Sequence, residues 1–315
     1  MIGYTLRRLA QAVIVLLGLT VLVFVLEHMI PGSLARAILG PRASAGEIAT
    51  FDRVNGLDRS VVSQYLTFLS HLLHGNLGYS YRLNQSVDSL VVHELPNDLI
   101  LVGIALFFAL AIAIPLGIAQ AVRRNRALDH VATGISFLLY SMPSYWLGLL
   151  LIATFAIGVH VFPPEAPQAA SPAGVLADPR ALVLPVITLT LVNVALFGRY
   201  MRSAAVDTLA QDYVRVARSK GLPQRAVLLR HVLRNSLAPV VTLLGLSVPA
   251  VLTTGLVVEY VFNFPGLGLT YFNAAVNADY PVELGVTVVV GIATVLGSLL
   301  ADLAYAVLDP RVRYG

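Results

Sequence analysis

The sequence predicts an all-α protein that crosses a membrane about six times, and three observations predict it. Only 12% of its 315 residues are charged and 57% are apolar, where a soluble domain carries about a quarter charged residues. Six runs of 18 residues or more lack Asp, Glu, Lys and Arg, near the ~20 that a helix needs to cross a hydrocarbon core. The basic residues gather in alternate loops, the pattern that orients membrane proteins.

The uncharged runs are 9–26, 99–122, 131–164, 181–198, 235–258 and 284–301. A helix satisfies its own backbone groups, so each run needs no water to exist in lipid. The third is too long for one span, and Pro163 and Pro164 close it on one side. The crossings are therefore set within 1–30, then at about 99–122, 133–160, 181–198, 236–258 and 284–305. Loops on one face hold fifteen of the basic residues, from Arg7 and Arg8 to Arg311 and Arg313, and loops on the other hold six. The richer side is cytoplasmic by the positive-inside rule, and an even number of spans puts both termini there. The net charge of +4 is thus a membrane-orientation signal and not a nucleic-acid footprint. A cleaved leader is disfavoured although Ala35-Arg36-Ala37 loosely resembles a cleavage site, because 18 uncharged residues exceed the usual core of such leaders. With no cysteine, disulfides and thiolate metal sites are excluded.

Residues 31–98 form an external segment. Val62, Leu66, Leu69 and Leu73 recur at helical spacing, so 61–73 is expected to be an amphipathic helix, ended by Gly75, Asn76 and Gly78. A second short helix over 86–94 is expected to stop before Pro96. Together they make a small helical cap.

The cytoplasmic loop 199–234 is the most informative stretch, with eight basic residues. Asp212 is placed to cap a helix start. Lys220 stands in the last turn, Gly221 in the left-handed closing position, and Pro223 blocks continuation. Tyr213, Val216 and Ala217 share one face, with Arg215 and Arg218 off it. Two readings remain open: an amphipathic helix lying on anionic lipid, or a helix that docks in a groove of a soluble partner, where Ala217 and Gly221 would permit close approach.

This segment resembles the ATPase-coupling motif of ABC-transporter permeases, with matches at Asp212, Ala217, Gly221 and Pro239 and with His231, Arg234 and Asn235 between. The resemblance spans nearly the whole chain and is strongest to inner-membrane permeases of dipeptide and oligopeptide importers of the B-subunit type. It rests on ordered short pieces: Arg7-Arg8-Leu9, Pro31-Gly32, Gly56-Leu57-Asp58, His74-Gly75-Asn76-Leu77-Gly78, Ile114-Pro115-Leu116-Gly117, Ser141-Met142-Pro143-Ser144-Tyr145-Trp146, Val258-Glu259, Pro265-Gly266-Leu267-Gly268, Asp279-Tyr280-Pro281 and Leu308-Asp309-Pro310-Arg311. Ser33, Asn76, Ala278 and Asp212 depart from the residues common at those places.

The resemblance implies a type I ABC importer permease fold over 99–308, with a short cytoplasmic terminus at 309–315. It implies half of a translocation path for di- or oligopeptides, in a cell membrane, and no enzymatic chemistry in this chain. The implied partners are a second homologous permease, two ATP-binding-cassette subunits or one two-domain ATPase, an external solute-binding protein and the lipid bilayer. ATP and Mg would bind the ATPases, and no G-x-x-x-x-G-K-[ST] phosphate loop is present here. Coupling would fall on Asp212, Tyr213, Val216, Ala217, Gly221, Leu222 and Pro223, supported by Arg215, Arg218, His231, Arg234, Asn235 and Pro239. Nickel, glutathione or another small solute is the rival cargo.

Other residues are weighed against plainer roles. Glu259 and Asp302 bound spans and are expected to anchor or pack near water; a share in substrate handling is the alternative. Ser141, Pro143, Tyr145 and Asn193 join Glu259 as candidates for the path, with Asn193 able to bond across helices. Pro115, Pro143 and Pro185 kink spans around a cavity or only relieve local geometry. His71 and His74 lack a third metal ligand. Pro265-Gly266-Leu267-Gly268 reads as a turn with no helix start. An ion-coupled transporter is disfavoured by the lack of mid-span carboxylates, and a membrane enzyme by the lack of any catalytic constellation.

Overall fold

The computed structural model describes residues 2–29, 34–40, 42–169 and 171–308. The chain runs α1 (Ile2–Met29), α2 (Leu34–Leu39), α3 (Ala45–Val54), α4 (Val61–Leu73), a hairpin of β1 (Tyr79–Ser80) with β2 (Gln85–Ser86), and α5 (Val87–Val122). It continues with α6 (Ala127–Ser141), α7 (Ser144–Leu151) passing into a π-helical stretch Ile152–Gly158, α8 (Pro172–Ala177), α9 (Pro179–Leu209), α10 (Asp212–Ser219) and α11 (Gln224–Val227). A second π-helical stretch, Leu228–Leu233, leads to α12 (Arg234–Leu246), α13 (Val248–Val261), α14 (Leu267–Asn277) and α15 (Tyr280–Leu308). Among the described residues four helical stretches are long and apolar enough to cross a membrane: Val87–Val122, Pro179–Leu209, Gln224–Gly245 and Tyr280–Leu299. The pair α6 and α7 would make a fifth. The first crossing expected from sequence falls on α1, whose stretch Ala10–Val25 is apolar.

The chain divides into two compact units, with boundaries inside α5 and α15. The first holds residues 1–98 and 265–295. There Val87, Leu90 and Val91 pack on Leu267, Ala274, Val282 and Val286. Gly285 faces Val87 so closely that a Cβ would lie 2.5 Å from the valine methyl. Ser80 donates to the buried Asp279 carboxylate, holding the hairpin to the start of α15. This hairpin is a β element in what the sequence suggested to be a helical cap.

Three further expectations for this unit are corrected. The stop before Pro96 does not occur, because α5 runs unbroken from Val87 to Val122. The polar side chains beyond the proline are used instead to hold another segment: Asn97 Nδ2 donates to Pro265 O at 2.9 Å, and both Asp98 carboxylate oxygens accept from Leu267 N at 3.2 Å. A helix does start after the Pro265-Gly266 turn, with Gly266 as its N-cap, and Asp98 supplies the negative charge that its free N–H groups need. In α4 the inward face is Tyr65 and Phe68, not Val62, Leu66 and Leu73. Tyr65 meets Phe24 of α1 edge-on at 5.4 Å and Phe68 stacks on it at 6.1 Å, and aromatic area outweighs the aliphatic positions in choosing the buried side. The glycine-rich stop holds: His74 closes α4 and Gly75 follows at φ +78°.

The second unit holds residues 99–264 and, among the described residues, 296–308. Its largest core gathers Leu101, Ala105, Leu147, Leu151, Leu184, Leu189, Val258, Phe262 and Phe264 around α9. Gly117 brings α5 against α9, where an added Cβ would stand 2.8 Å from Met201 Cβ and 2.9 Å from Arg202 N. The expected span 133–160 is broken: α6 and α7 meet at 105°. Met142 is extended at φ −87°, ψ 126°, as a residue before proline prefers, and Pro143 begins the new helix without an N–H to continue the old one. The expected span 236–258 is likewise divided at Ser247, where a proline occupies the first turn of α13.

Pro31, Gly32, Ser33 and the terminal 309–315, including Asp309, Pro310, Arg311 and Arg313, lie outside the described residues, as does the side chain of Asp302.

Candidate functional site: the α9–α10 element

Helix α9 ends at Leu209 and turns through Ala210 and Gln211 into α10. Gln211 is the N-cap and makes no side-chain cap bond. Asp212 therefore does not cap; it is the first helical residue, where its charge still opposes the helix dipole. Its pair with Arg215, at 3.5 Å, lies in the open and contributes little. Lys220 closes the helix and Gly221 takes φ +74°, its N–H bonded to Arg218 O at 2.9 Å. A Cβ at Gly221 would meet nothing within 4 Å, so glycine is needed there for backbone conformation and not for space. Pro223 then caps α11.

The faces of α10 differ from the sequence expectation in one residue. Val214 and Ala217, at i and i+3, are buried against Ala121, Ala205, Val227 and Val232. Ala217 thus serves close packing within this chain and does not face outward. An eight-residue helix cannot hold itself in water, so one face must anchor it. The outward apolar residues are Tyr213 (43% exposed), Val216 (51%) and Leu222 (38%), flanked by Arg215 and Arg218. Val214, missed in the sequence, was legible as the i−3 partner of Ala217.

The supporting residues lie behind this element. Asn235 Nδ2 returns to His231 O at 2.7 Å, and Arg234 and Pro239 are in α12. Ser236 donates to Thr208 Oγ1 at 3.0 Å, tying α12 to the last turns of α9. Asp129, at the start of α6, accepts from Arg202 Nε at 2.6 Å and Nη2 at 2.8 Å and from Asn125 N at 3.0 Å. In the sequence Arg202 counted only as an orientation charge, and Asp129 carried no signal. Arg199, one turn earlier in α9, lies 4.7 Å from the Tyr140 ring centre and 5.7 Å from that of Phe137, a cation–π contact.

The path candidates separate. Ser141, Pro143 and Tyr145 cluster at the α6–α7 break and are exposed, with Ser141 Oγ returning to Phe137 O at 2.8 Å. Asn193 is buried and bonds Leu189 O of its own helix at 2.8 Å; the bond between helices at this level is made by Thr190 to Ala105 O at 3.2 Å. Glu259 is 1% exposed, which corrects its expected reach to water or headgroups. It stands over Gly255 in α13, 3.8 Å from where a Cβ would be.

The long apolar helices define a polytopic all-α membrane protein, with the short helix α10 carrying outward apolar residues. Comparison with known proteins gives the class. Residues 113–314 match the family described as binding-protein-dependent transport system inner membrane component, and residues 1–102 match the N-terminal component of the same systems. The chain is 35% identical to the oligopeptide transport system permease protein AppB of Bacillus subtilis, with all of both chains covered. It is 34% identical to the dipeptide transport system permease protein DppB of Escherichia coli K12, over 100% of this chain and 99% of that one. It is 35% identical to the glutathione transport system permease protein GsiC of Salmonella typhi, again over both whole chains. The chain belongs to the inner-membrane permeases of binding-protein-dependent ABC importers; it is a transport subunit and not an enzyme.

Proposed function

We propose that this permease forms half of a path for di- or oligopeptides and that α10 is the element through which partner ATPases drive it. The observation that carries the reading is the two-faced α10: Val214 and Ala217 fasten it to the chain while Tyr213, Val216 and Leu222 stay outward. A free apolar face of that size on a basic surface fits a groove in a soluble subunit. In this reading Asp212, Gly221, Leu222 and Pro223 shape the docking end, and Arg215 and Arg218 meet acidic rims. His231, Arg234, Asn235 and Pro239 stiffen the stem behind it.

Both termini and the loop 199–234 are assigned to the cytoplasm from the basic residues. ATP and Mg bind the ATPase subunits, either two cassettes or one two-domain protein. Their closure presses α10, and α9 carries the movement to α6 and the 105° break, where Ser141, Pro143 and Tyr145 line the path with Asn193 and Glu259 deeper in. The step is a shift between two packings of one bistable element, biased by nucleotide on one side and loaded binding protein on the other. A second homologous permease completes the path. The polar residues of α2 and α3, the β hairpin and the loop before α14 receive the external binding protein.

The cargo follows the oligopeptide and dipeptide relatives, and the equally similar glutathione relative supports a second reading with glutathione as cargo. The test is purification in mild detergent, reconstitution and ATP hydrolysis with the binding protein loaded with dipeptide, pentapeptide or glutathione. Stimulation by the peptides supports the first cargo, and stimulation by glutathione alone supports the second. A permease that never retains an ATP-hydrolysing subunit would sink both.

A further inference from the structure

We propose that α4, in the segment otherwise turned outward, lies in the outer leaflet of the bilayer with Val62, Leu66 and Leu73 against lipid acyl chains. The inference stands on depth, and depth is fixed by contacts within one unit. Gly291 lies three to four residues outward of the centre of the crossing at 284–305, which falls within α15. A Cβ at Gly291 would lie 2.6 Å from Leu19 and 3.3 Å from Leu16 of α1, so these leucines stand about 5 Å outward of the bilayer centre at the helical rise. The next turns of α1 carry Thr20, Phe24 and His28. Phe24, five residues beyond Leu19, is about 7.5 Å further out at the helical rise, within the ~15 Å of one hydrocarbon half, and His28 stands past its edge at the headgroups. These residues are the seat of α4: Thr20 Oγ1 and Tyr65 Oη are 3.0 Å apart, Phe24 meets Tyr65 edge-on and stacks on Phe68, and His28 Nε2 is 3.3 Å from Gln64 Oε1.

A helix seated there turns its other face to whatever surrounds α1. Along one flank it carries Val62, Leu66 and Leu73 at 69%, 58% and 79% exposure, and beside them the exposed Thr67, Ser70 and His71. On α1, Val21, Leu22 and Val25 are likewise exposed apolar residues. Charge selects lipid over an aqueous protein surface: residues 61–81 contain no Asp, Glu, Lys or Arg, whereas residues 42–59 contain six. The Thr67 hydroxyl turns back to Ser63 O at 2.9 Å and so needs no water, while Ser70 and His71 are exposed and are placed to meet the headgroups. Thirteen residues are too few to cross. The segment returns outward at Gly78, beside Pro281 at the start of α15.

The absence of cysteine makes the test direct. Single variants L66C and L73C, with I14C on α1 as a lipid-facing reference and V54C on α3 as an aqueous one, are assembled in the full transporter. They are labelled with bimane in vesicles of phosphatidylcholine carrying brominated tails. Quenching at positions 66 and 73 within about twofold of position 14, with little at position 54, is the expected result. So is a reaction with a membrane-impermeant maleimide at least tenfold slower at position 66 than at position 54. Equal maleimide rates, or protection at position 66 that appears only when the binding protein is added, would overturn the proposal. For a variant that does not assemble, the unmodified complex is crosslinked with a phospholipid bearing a mid-chain diazirine. Adducts within 61–73 support the proposal, and their absence beside adducts on α1 refutes it. None of these readouts depends on the role of α10.

Discussion

The Arg202 guanidinium grips the Asp129 carboxylate with two donors, Nε at 2.6 Å and Nη2 at 2.8 Å, and so fastens the start of α6 to the stem that carries α10. Asp129 is 2% exposed. Removing the cation should therefore cost more than removing the anion, since Arg202→Met leaves a buried charge unpaired while Asp129→Asn leaves an arginine that reaches water. The expected losses are about 3 kcal/mol and about 1.5 kcal/mol, with the double variant recovering part of the difference. Thermal melts of the purified complex give the order. Equal losses, or no recovery in the double variant, would show that the pair is not a coupled unit.

At Gly221 a side chain has room but an unfavourable backbone. An L-residue held left-handed costs about 1–2 kcal/mol, most for a β-branched one. Gly221→Val is expected to insert and assemble normally, yet to hydrolyse ATP without proportionate uptake. The check is the ratio of ATP hydrolysed to peptide imported in proteoliposomes, and a wild-type ratio would remove Gly221 from the coupling machinery.

Two glycines in neighbouring helices should answer oppositely to the same methyl group. Gly117→Ala puts a Cβ within 2.8 Å of Met201 and 2.9 Å of the α9 backbone, an overpacking expected to cost about 1–3 kcal/mol. Gly134→Ala meets nothing within 4 Å and should leave stability unchanged. Melting of the two variants side by side decides the matter.

Helix α3 carries a pH signal. Ser44 accepts from Glu47 N while the Glu47 carboxylate accepts from Ser44 N at 2.8 Å, a capping box. The Ser44 backbone N–H, then its hydroxyl, hold the Glu47 carboxyl below its ordinary range. The folded value is the lower one, so the stabilisation is complete above the ordinary carboxylate range and fades as pH falls through the lowered value. Amide exchange in 45–54 should quicken on acidification, and Glu47→Ala should abolish that dependence. An unchanged pH profile in the variant would rule out Glu47 as its source.

Much of the site was legible before any coordinates. Asp212, Gly221 and Pro223 bracket a helix because local chemistry alone decides where so short an element starts and stops. Ala217 was assigned to the wrong face because periodicity groups residues without saying which group looks inward, and Tyr65 and Phe68 displaced Val62 and Leu66 in α4 for the same reason. The Asp129–Arg202 pair joins residues far apart in sequence, and no spacing rule could have matched them. The break at Pro143 was marked by the proline, but its angle is set by packing of α7 against α9 and α13.

Val214 and Ala217 are a slender attachment. Their combined side-chain burial is worth about 3 kcal/mol, small beside the energy of a nucleotide-driven domain closure. A load pressing α10 toward the bilayer seats both side chains harder, whereas a load of equal size drawing it away needs only to peel them out. Under the coupling proposed for it, this part behaves as a pushrod and not as a rope: the chain is built to be shoved in one direction, and its return must come from elsewhere in the assembly.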